Sequence, residues 1–105
     1  MDNKKEWFLC PAVLRRILYF ESDNGYSLMV MKNRQQKVVD LPLNRIEGIL
    51  PDDKFSRVHR SYLVNNEAVS ALRYYGTQLF ACVHDYRIPV SRRRGRILFE
   101  SLDCL

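Results

Sequence analysis

The side chains best suited to chemistry in this 105-residue chain are its two histidines, its three cysteines and a run of arginines. His59 lies two residues from Ser61, and Cys82 lies two residues from His84 on a predicted strand, where the two would share one face. Nucleophilic catalysis needs a nucleophile, a base and an orienting group in one cleft, and neither pair comes with a third group. We therefore interpret Cys82 as a small core residue and His84 as a strand-end residue, and we predict no enzymatic activity.

Metal and cofactor sites are not indicated either. The cysteines at positions 10, 82 and 104 and the two histidines are scattered, without the close spacing of zinc ligands. There is no glycine-rich phosphate-binding loop. An odd number of cysteines without framework spacing favours reduced thiols, and so a cytoplasmic protein. No apolar stretch approaches the roughly 20 residues of a membrane helix, so we expect no metal, no cofactor and no membrane insertion.

Arginine is the residue type that points to a partner. Residues 87–96 contain five arginines and no carboxylate, and a looser basic cluster consists of Lys54, Arg57, His59 and Arg60. The formal net charge is +5. Arginine can bind a phosphate or a guanine edge through two parallel hydrogen bonds. The alternatives are a solvated basic face or pairing along a helix, such as Arg96 with Glu100.

The elements that would position these residues are mostly short strands. A segment that is apolar on both faces, residues 26–33, predicts a central, covered strand. Leu43, Ile46, Ile49 and Leu50 recur at helical spacing between Pro42 and Pro51, which predicts a short helix over about 43–50. Ser91 is a natural N-cap for a second helix over about 92–102. The other predicted strands are 7–10, 17–20, 37–41, 55–59, 69–75, 78–84 and 87–90.

These elements predict an α+β fold that is mostly β, forming one domain over residues 7–105 behind an N-terminal tail of residues 1–6. A helix-turn-helix is excluded because the two helices lie about forty residues apart. An aromatic platform for single-stranded nucleic acid is the further alternative, although packing of the core is the favoured role of most of these rings. The rings in question are Tyr19, Phe20, Tyr26, Tyr62, Tyr74 and Tyr75.

Three motifs in a fixed order are more specific than the composition. Residues 55–65, FSRVHRSYLVN, follow the pattern F-x-R-x-H-R-S-x-x-V-N. ILYFESDNGYSLMV precedes them at residues 17–30, and IPVSRR follows after a hairpin at residues 88–93. Together these motifs resemble the LytTR (LytR/AlgR-type) DNA-binding domain of bacterial transcription regulators. The resemblance spans about residues 7–103.

The resemblance implies an elongated fold of antiparallel strands with a few short helices. It implies binding to double-stranded DNA from one side, through loops inserted into successive major grooves. Such domains usually follow a phosphoacceptor receiver domain in a response regulator of a two-component system, and pairs of them bind direct repeats at promoters. We therefore expect either a stand-alone regulator controlled by a partner such as an inhibitor, or one domain of a longer chain.

Carried over by position, the resemblance implies a set of DNA contacts. Arginine at 60 or 92 can bind the O6 and N7 atoms of guanine, whereas other contacts hold the backbone without reading sequence. The base-contact candidates are Asn24, Tyr26, His59, Arg60 and Arg92. The phosphate-contact candidates are Ser27, Arg57, Ser61, Arg93 and Arg94. For His59 an orienting role in its loop remains equally open, and Asn65 is expected to bond backbone groups.

A competing function remains open at this point. A basic face can also bind an acidic protein or lipid surface, and exposed tyrosines can stack on single strands, in both cases without sequence-specific duplex recognition.

Overall fold

Two antiparallel β-sheets form the framework of the molecule, which measures 46 × 30 × 25 Å. The structure is a computed structural model that describes residues 4–94. The strands of the first sheet follow the order β3-β2-β1-β5-β4, and those of the second follow β6-β7-β8. The expected elongated, strand-rich fold is confirmed. The strands are β1 (Ile17–Asp23), β2 (Tyr26–Met31), β3 (Gln36–Val39), β4 (Phe55–His59), β5 (Tyr62–Asn65), β6 (Val69–Tyr75), β7 (Gln78–Val83) and β8 (Tyr86–Val90).

Helices are short and lie outside the sheets. Helix α1 covers Pro11–Leu14 and α2 covers Leu43–Ile49, while 3-10 turns occupy Lys4–Leu9 and Asn66–Ala68. The α2 helix agrees with the apolar spacing and flanking prolines of its sequence. Of the helix expected over 92–102, residues 92–94 are helical, and the remainder lies outside the described residues. None of the described helices is long and apolar enough to cross a membrane.

The five-stranded sheet is buried on both faces, and each face has its own hydrophobic core. One core joins the sheet to α2 and the N-terminal turns, and the other joins it to the second sheet. Adjacent residues of β2 separate the cores, since Met29 faces the first and Val30 the second, and both are fully buried. Burial of each such side chain contributes about 1.5–3 kcal/mol to the free energy of unfolding. The expectation that this strand is central and covered is confirmed.

The prediction of a strand at residues 7–10 is wrong. Residues up to Leu9 form 3-10 turns, and Pro11 begins α1 after Cys10. Only Phe8 is fully buried, with its ring 5.5 Å from that of Phe20, whereas Trp7 is 41% exposed beside Lys37. Packing of a single aromatic anchor therefore overrides the β propensity of the segment.

Two further features differ from the sequence interpretation. Strand β5 was not expected, yet it lies between β1 and β4 and places Leu63 in one core and Val64 in the other. Cys82 is half-buried on β7, but His84 lies in the turn after that strand with a φ of 54° and is exposed. The two residues therefore do not share a strand face.

Asn65 is one of two buried polar residues among those described, and both the nitrogen and the oxygen of its side-chain amide form hydrogen bonds with the backbone. Its Nδ2 donates to the carbonyl of Ile17 at 2.9 Å, and its Oδ1 accepts from the amide of Glu67 at 3.1 Å. The first bond ties the end of β5 to the start of β1. The second caps the following 3-10 turn, which agrees with the backbone-bonding role expected for this residue.

Replacing Asn65 with alanine should lower the free energy of unfolding by about 1–3 kcal/mol, because the carbonyl of Ile17 loses its buried partner. Urea unfolding followed by circular dichroism measures the change. The exposed Asn33 accepts a bond from Gln35 in a turn and serves as the matched control. Asn33→Ala should cost clearly less, and equal losses from both substitutions would contradict this account of Asn65.

Candidate nucleic-acid interface

Three segments that the sequence singled out meet at one end of the five-stranded sheet. The β1–β2 turn and the β4–β5 turn are adjacent, since the amide of Ser22 donates to the carbonyl of Ser61 at 2.9 Å. The chain returns beside β4 after β8, where the amide of Ser91 donates to the carbonyl of Val58 at 2.8 Å. Residues far apart in the sequence therefore form one continuous surface.

The β1–β2 turn is a two-residue hairpin turn. Asp23 pairs with Tyr26, and the two residues between them, Asn24 and Gly25, have φ angles of 50° and 90°. Two consecutive left-handed residues form a type I′ turn, which favours Asn-Gly because asparagine and glycine tolerate positive φ. The turn exposes Asn24 and leaves Tyr26 49% exposed.

Ser27 follows this turn but lies inside the protein. Its side chain is 0% exposed, and its hydroxyl donates to the carbonyl of Leu41 at 2.8 Å. The alternation of the strand turns Tyr26 outward and Ser27 inward. The expected phosphate contact at Ser27 is therefore corrected, because no atom of this side chain faces solvent.

Arg57 supports the β4–β5 turn from beneath. Its Nε donates to the carbonyl of His59 at 2.8 Å, and its Nη2 donates to the carbonyl of Arg60. Its Nη1 bonds two side chains of α2, the Oδ1 of Asn44 at 3.1 Å and the Oε1 of Glu47 at 2.7 Å. With these partners the Arg57 side chain is only 9% exposed.

His59 and Ser61 shape the same turn. The Nδ1 of His59 accepts a hydrogen bond from the amide of Ser61 at 3.1 Å, so this nitrogen carries no proton. The ring also packs edge-on against Tyr62 at 5.8 Å. Burial lowers the pKa of His59 below 6.5, and the positive charges of Arg60 and Arg57 lower it further. Through Nδ1, His59 holds the amide of Ser61 in the turn, while Arg60 at the tip of the turn is exposed.

The third segment begins with a capped helical turn. The Oγ of Ser91 accepts from the amide of Arg94 at 3.2 Å, as expected for an N-cap. Arg94 joins the Arg57 network, which is the set of residues hydrogen-bonded around the Arg57 side chain. Its Nη1 lies 3.2 Å from the carbonyl of Arg57 and 3.9 Å from the Oε2 of Glu47. Arg92 and Arg93 are exposed beside it.

A depression of about 380 Å³ joins the first two segments. It lies between the β1–β2 turn, α2 and the β4–β5 turn, and Tyr26, Asn44 and Arg60 are among the residues that line it. Asn44 and Glu47 were not identified from the sequence. Their spacing of three residues places them together on one side of α2, beside the apolar stripe. The sequence does not show that this face meets Arg57.

The tyrosines divide between packing and exposure. Tyr19 is buried, and burial, followed by the nearby charge of Glu21, raises its pKa to about 12. Tyr62 is half-buried, and its hydroxyl donates to Glu21 at 3.3 Å, while burial and that carboxylate raise its pKa. Tyr74 and Tyr75 on β6 are 66% and 42% exposed. The packing role therefore holds for Tyr19 and Tyr62 but not for the β6 pair.

Comparison with known proteins gives a family match and a similarity to a solved structure. The sequence model of the LytTr DNA-binding domain family matches residues 9–103. The fold is similar to that of the LytTr DNA-binding domain of a putative methyl-accepting/DNA response regulator from Bacillus cereus. The two share 22% sequence identity and a TM-score of 0.73, over 84% of this chain and 82% of that one. A search of curated proteins finds no match.

The pKa of His59 provides a test of the turn geometry. Because the folded protein favours the neutral ring, protonation opposes folding. The contribution of His59 to the free energy of unfolding is complete above pH 6.5 and is lost as the pH falls through the lowered pKa of the folded state. NMR titration of the ring C2 proton should give a pKa below 6.5, and Arg60→Ala should raise it.

The same titration includes its own control. Arg15 is an exposed arginine near the opposite end of the sheet, and Arg15→Ala should leave the His59 pKa unchanged. In urea unfolding, the loss of stability from about pH 7 to about pH 5 should shrink in His59→Asn, which keeps an acceptor near Nδ1 but does not titrate. A wild-type pKa at or above 6.5 would contradict the geometry described.

Proposed function

The chain belongs to the family of LytTr DNA-binding domains, and from this premise we propose that it binds double-stranded DNA sequence-specifically and thereby regulates transcription. The family is one of DNA-binding domains rather than of enzymes. The mechanism we propose involves binding without chemistry: separated segments enter successive major grooves and contact base edges and phosphates.

One observation carries the proposal, the convergence of the Arg60 turn and the Arg92 helix start at one end of the molecule. Within residues 4–94, the guanidinium groups of Arg60, Arg92 and Arg93 have no hydrogen-bond or ion-pair partner. Arginines of this kind are available to a ligand, whereas Arg57 is occupied by four internal acceptors. Several unpaired arginine side chains can therefore bind a polyanion at this end at the same time.

We divide the contacts by their chemistry. Arg60 and Arg92 read guanine edges, each contributing roughly 1–3 kcal/mol of discrimination. Asn24 and Tyr26 are base contacts from the first turn, and Arg93, Arg94 and Ser61 hold phosphates. His59 orients its turn, and Arg57 positions the backbone of that turn in place of the phosphate contact expected from the sequence.

The setting of this activity is a further part of the proposal. The similar Bacillus cereus domain is described as part of a response regulator. By analogy we propose a role in two-component signalling in the bacterial cytoplasm, with a receiver domain in the parent chain or an inhibitory partner as the source of control. Pairs of domains on promoter direct repeats are the arrangement we expect.

The test is a selection from random duplex DNA at about 150 mM salt with excess nonspecific competitor. Enrichment of a short motif supports the proposal, and about six neutralised phosphates give a slope of log K against log salt near −5. Equal binding to all polyanions would favour a basic protein-interaction module. Single strands that outcompete duplex would favour stacking on the exposed tyrosines.

Two neighbouring arginines should respond differently to removal. Arg92→Ala should relax the preference for one base position of the selected motif, at a cost of roughly 1–3 kcal/mol. Arg93→Ala should weaken all duplexes alike and reduce the salt slope by about one. Fluorescence anisotropy with single-base variants of the motif measures both, and Arg15→Ala is the charge-matched control. Equal losses on every sequence from Arg92→Ala and Arg93→Ala would disprove this division of roles.

A further inference from the structure

Glu47 is a carboxylate placed among the arginines of the proposed DNA-binding surface. It lies on α2, and its side chain is 42% exposed. Oε1 accepts from Arg57 at 2.7 Å, and Oε2 lies 3.9 Å from the Nη1 of Arg94. Electrostatic attraction to DNA alone gives no reason for an acidic residue here, because a carboxylate repels phosphates.

We propose that Glu47 is a specificity-determining positioning residue that holds two base-reading segments in register. The inference rests on the proposed DNA-binding function. Glu47 touches no base. It acts through Arg57, which fixes the carbonyls of His59 and Arg60, and through Arg94, which belongs to the helix start that carries Arg92.

The geometry supports this role because one carboxylate joins three elements. Arg57 comes from β4, Arg94 from the turn after β8, and Glu47 from α2. The two arginines also meet directly, since Arg94 donates to the carbonyl of Arg57 at 3.2 Å. Without the carboxylate, Arg57 and Arg94 lose the partner that they share, and the β4–β5 turn loses a fixed support.

Positioning and electrostatic repulsion predict opposite results for loss of the Glu47 charge. If Glu47 only repels DNA, Glu47→Gln should strengthen binding to every duplex. If Glu47 positions the readers, Glu47→Gln should weaken binding to the selected motif while binding to a scrambled duplex stays equal or becomes stronger. Specificity, the ratio of the two affinities, therefore falls only in the second case.

The experiment measures Kd for the selected motif and for a scrambled duplex of the same length at about 150 mM salt. We expect Glu47→Gln to lower the affinity ratio roughly tenfold, the loss of one charge-assisted bond that orients a reader. Asp52→Asn is the control, because it removes the same charge from an exposed turn near the opposite end of the sheet. The control should leave the ratio unchanged.

A charge-preserving variant serves as a control for misfolding of Glu47→Gln and separates positioning from a purely electrostatic effect. Glu47→Asp keeps the net charge but shortens the reach to Arg57 and Arg94, so only the positioning role predicts a fall in the ratio. Circular dichroism verifies the fold of each variant. If Glu47→Gln does not fold, the folded Glu47→Asp variant decides the question.

Coupling between the two readers provides an independent readout. Arg60→Ala and Arg92→Ala should have non-additive effects on motif binding in the wild type, and the non-additivity should shrink after Glu47→Gln. A wild type with clear motif preference and an unchanged ratio in both Glu47 variants would overturn this inference alone. A wild type with no motif preference would overturn the proposed function together with it.

Discussion

The guanidinium of Arg57 is the interaction on which the surface at this end depends. It is nearly buried, and two carbonyls, one amide oxygen and one carboxylate accept its hydrogen bonds. Leaving such a group without partners costs more than its bonds contribute, so the acceptors and the arginine stabilise one another's positions. The backbone of the β4–β5 turn is thereby fixed by a side chain of the strand that precedes it.

This support depends in turn on how the cores are placed. The five-stranded sheet is covered on one face by α2 and on the other by the second sheet, so both α2 and the end of β8 are held against β4. The Arg57 network forms where these layers meet at the edge of the sheet. The packed cores fix the backbone of this surface, while the exposed arginine side chains on its turns remain available to a ligand.

The sequence predicts most of the fold, and the errors have physical causes. Hairpins with strong local signals, such as the one around Gly76, agree with the structure, as does the α2 stripe. The strand expected at residues 7–10 is wrong because Phe8 packs as a single anchor. Strand β5 was missed because its four residues are defined by pairing with β1 and β4 rather than by a local pattern. For the candidate site, the ordered motifs identified segments that the structure brings together at one end of the five-stranded sheet. They did not reveal the burial of Ser27 or the bond between Glu47 and Arg57, because both depend on partners distant in sequence.

The return of the chain beside β4 has a consequence for how the protein acquires its surface. The bond from Arg94 to Arg57 closes a separation of 37 residues, and the pairing of Asn65 with Ile17 closes one of 48. Contacts of such sequence separation require the closure of a long loop, which costs conformational entropy before the contacts can stabilise the fold. On the ribosome, the Arg60 turn emerges well before the segment that completes the network. A nascent chain therefore carries the basic β4–β5 turn before the bond from Arg94 that completes the Arg57 network can form.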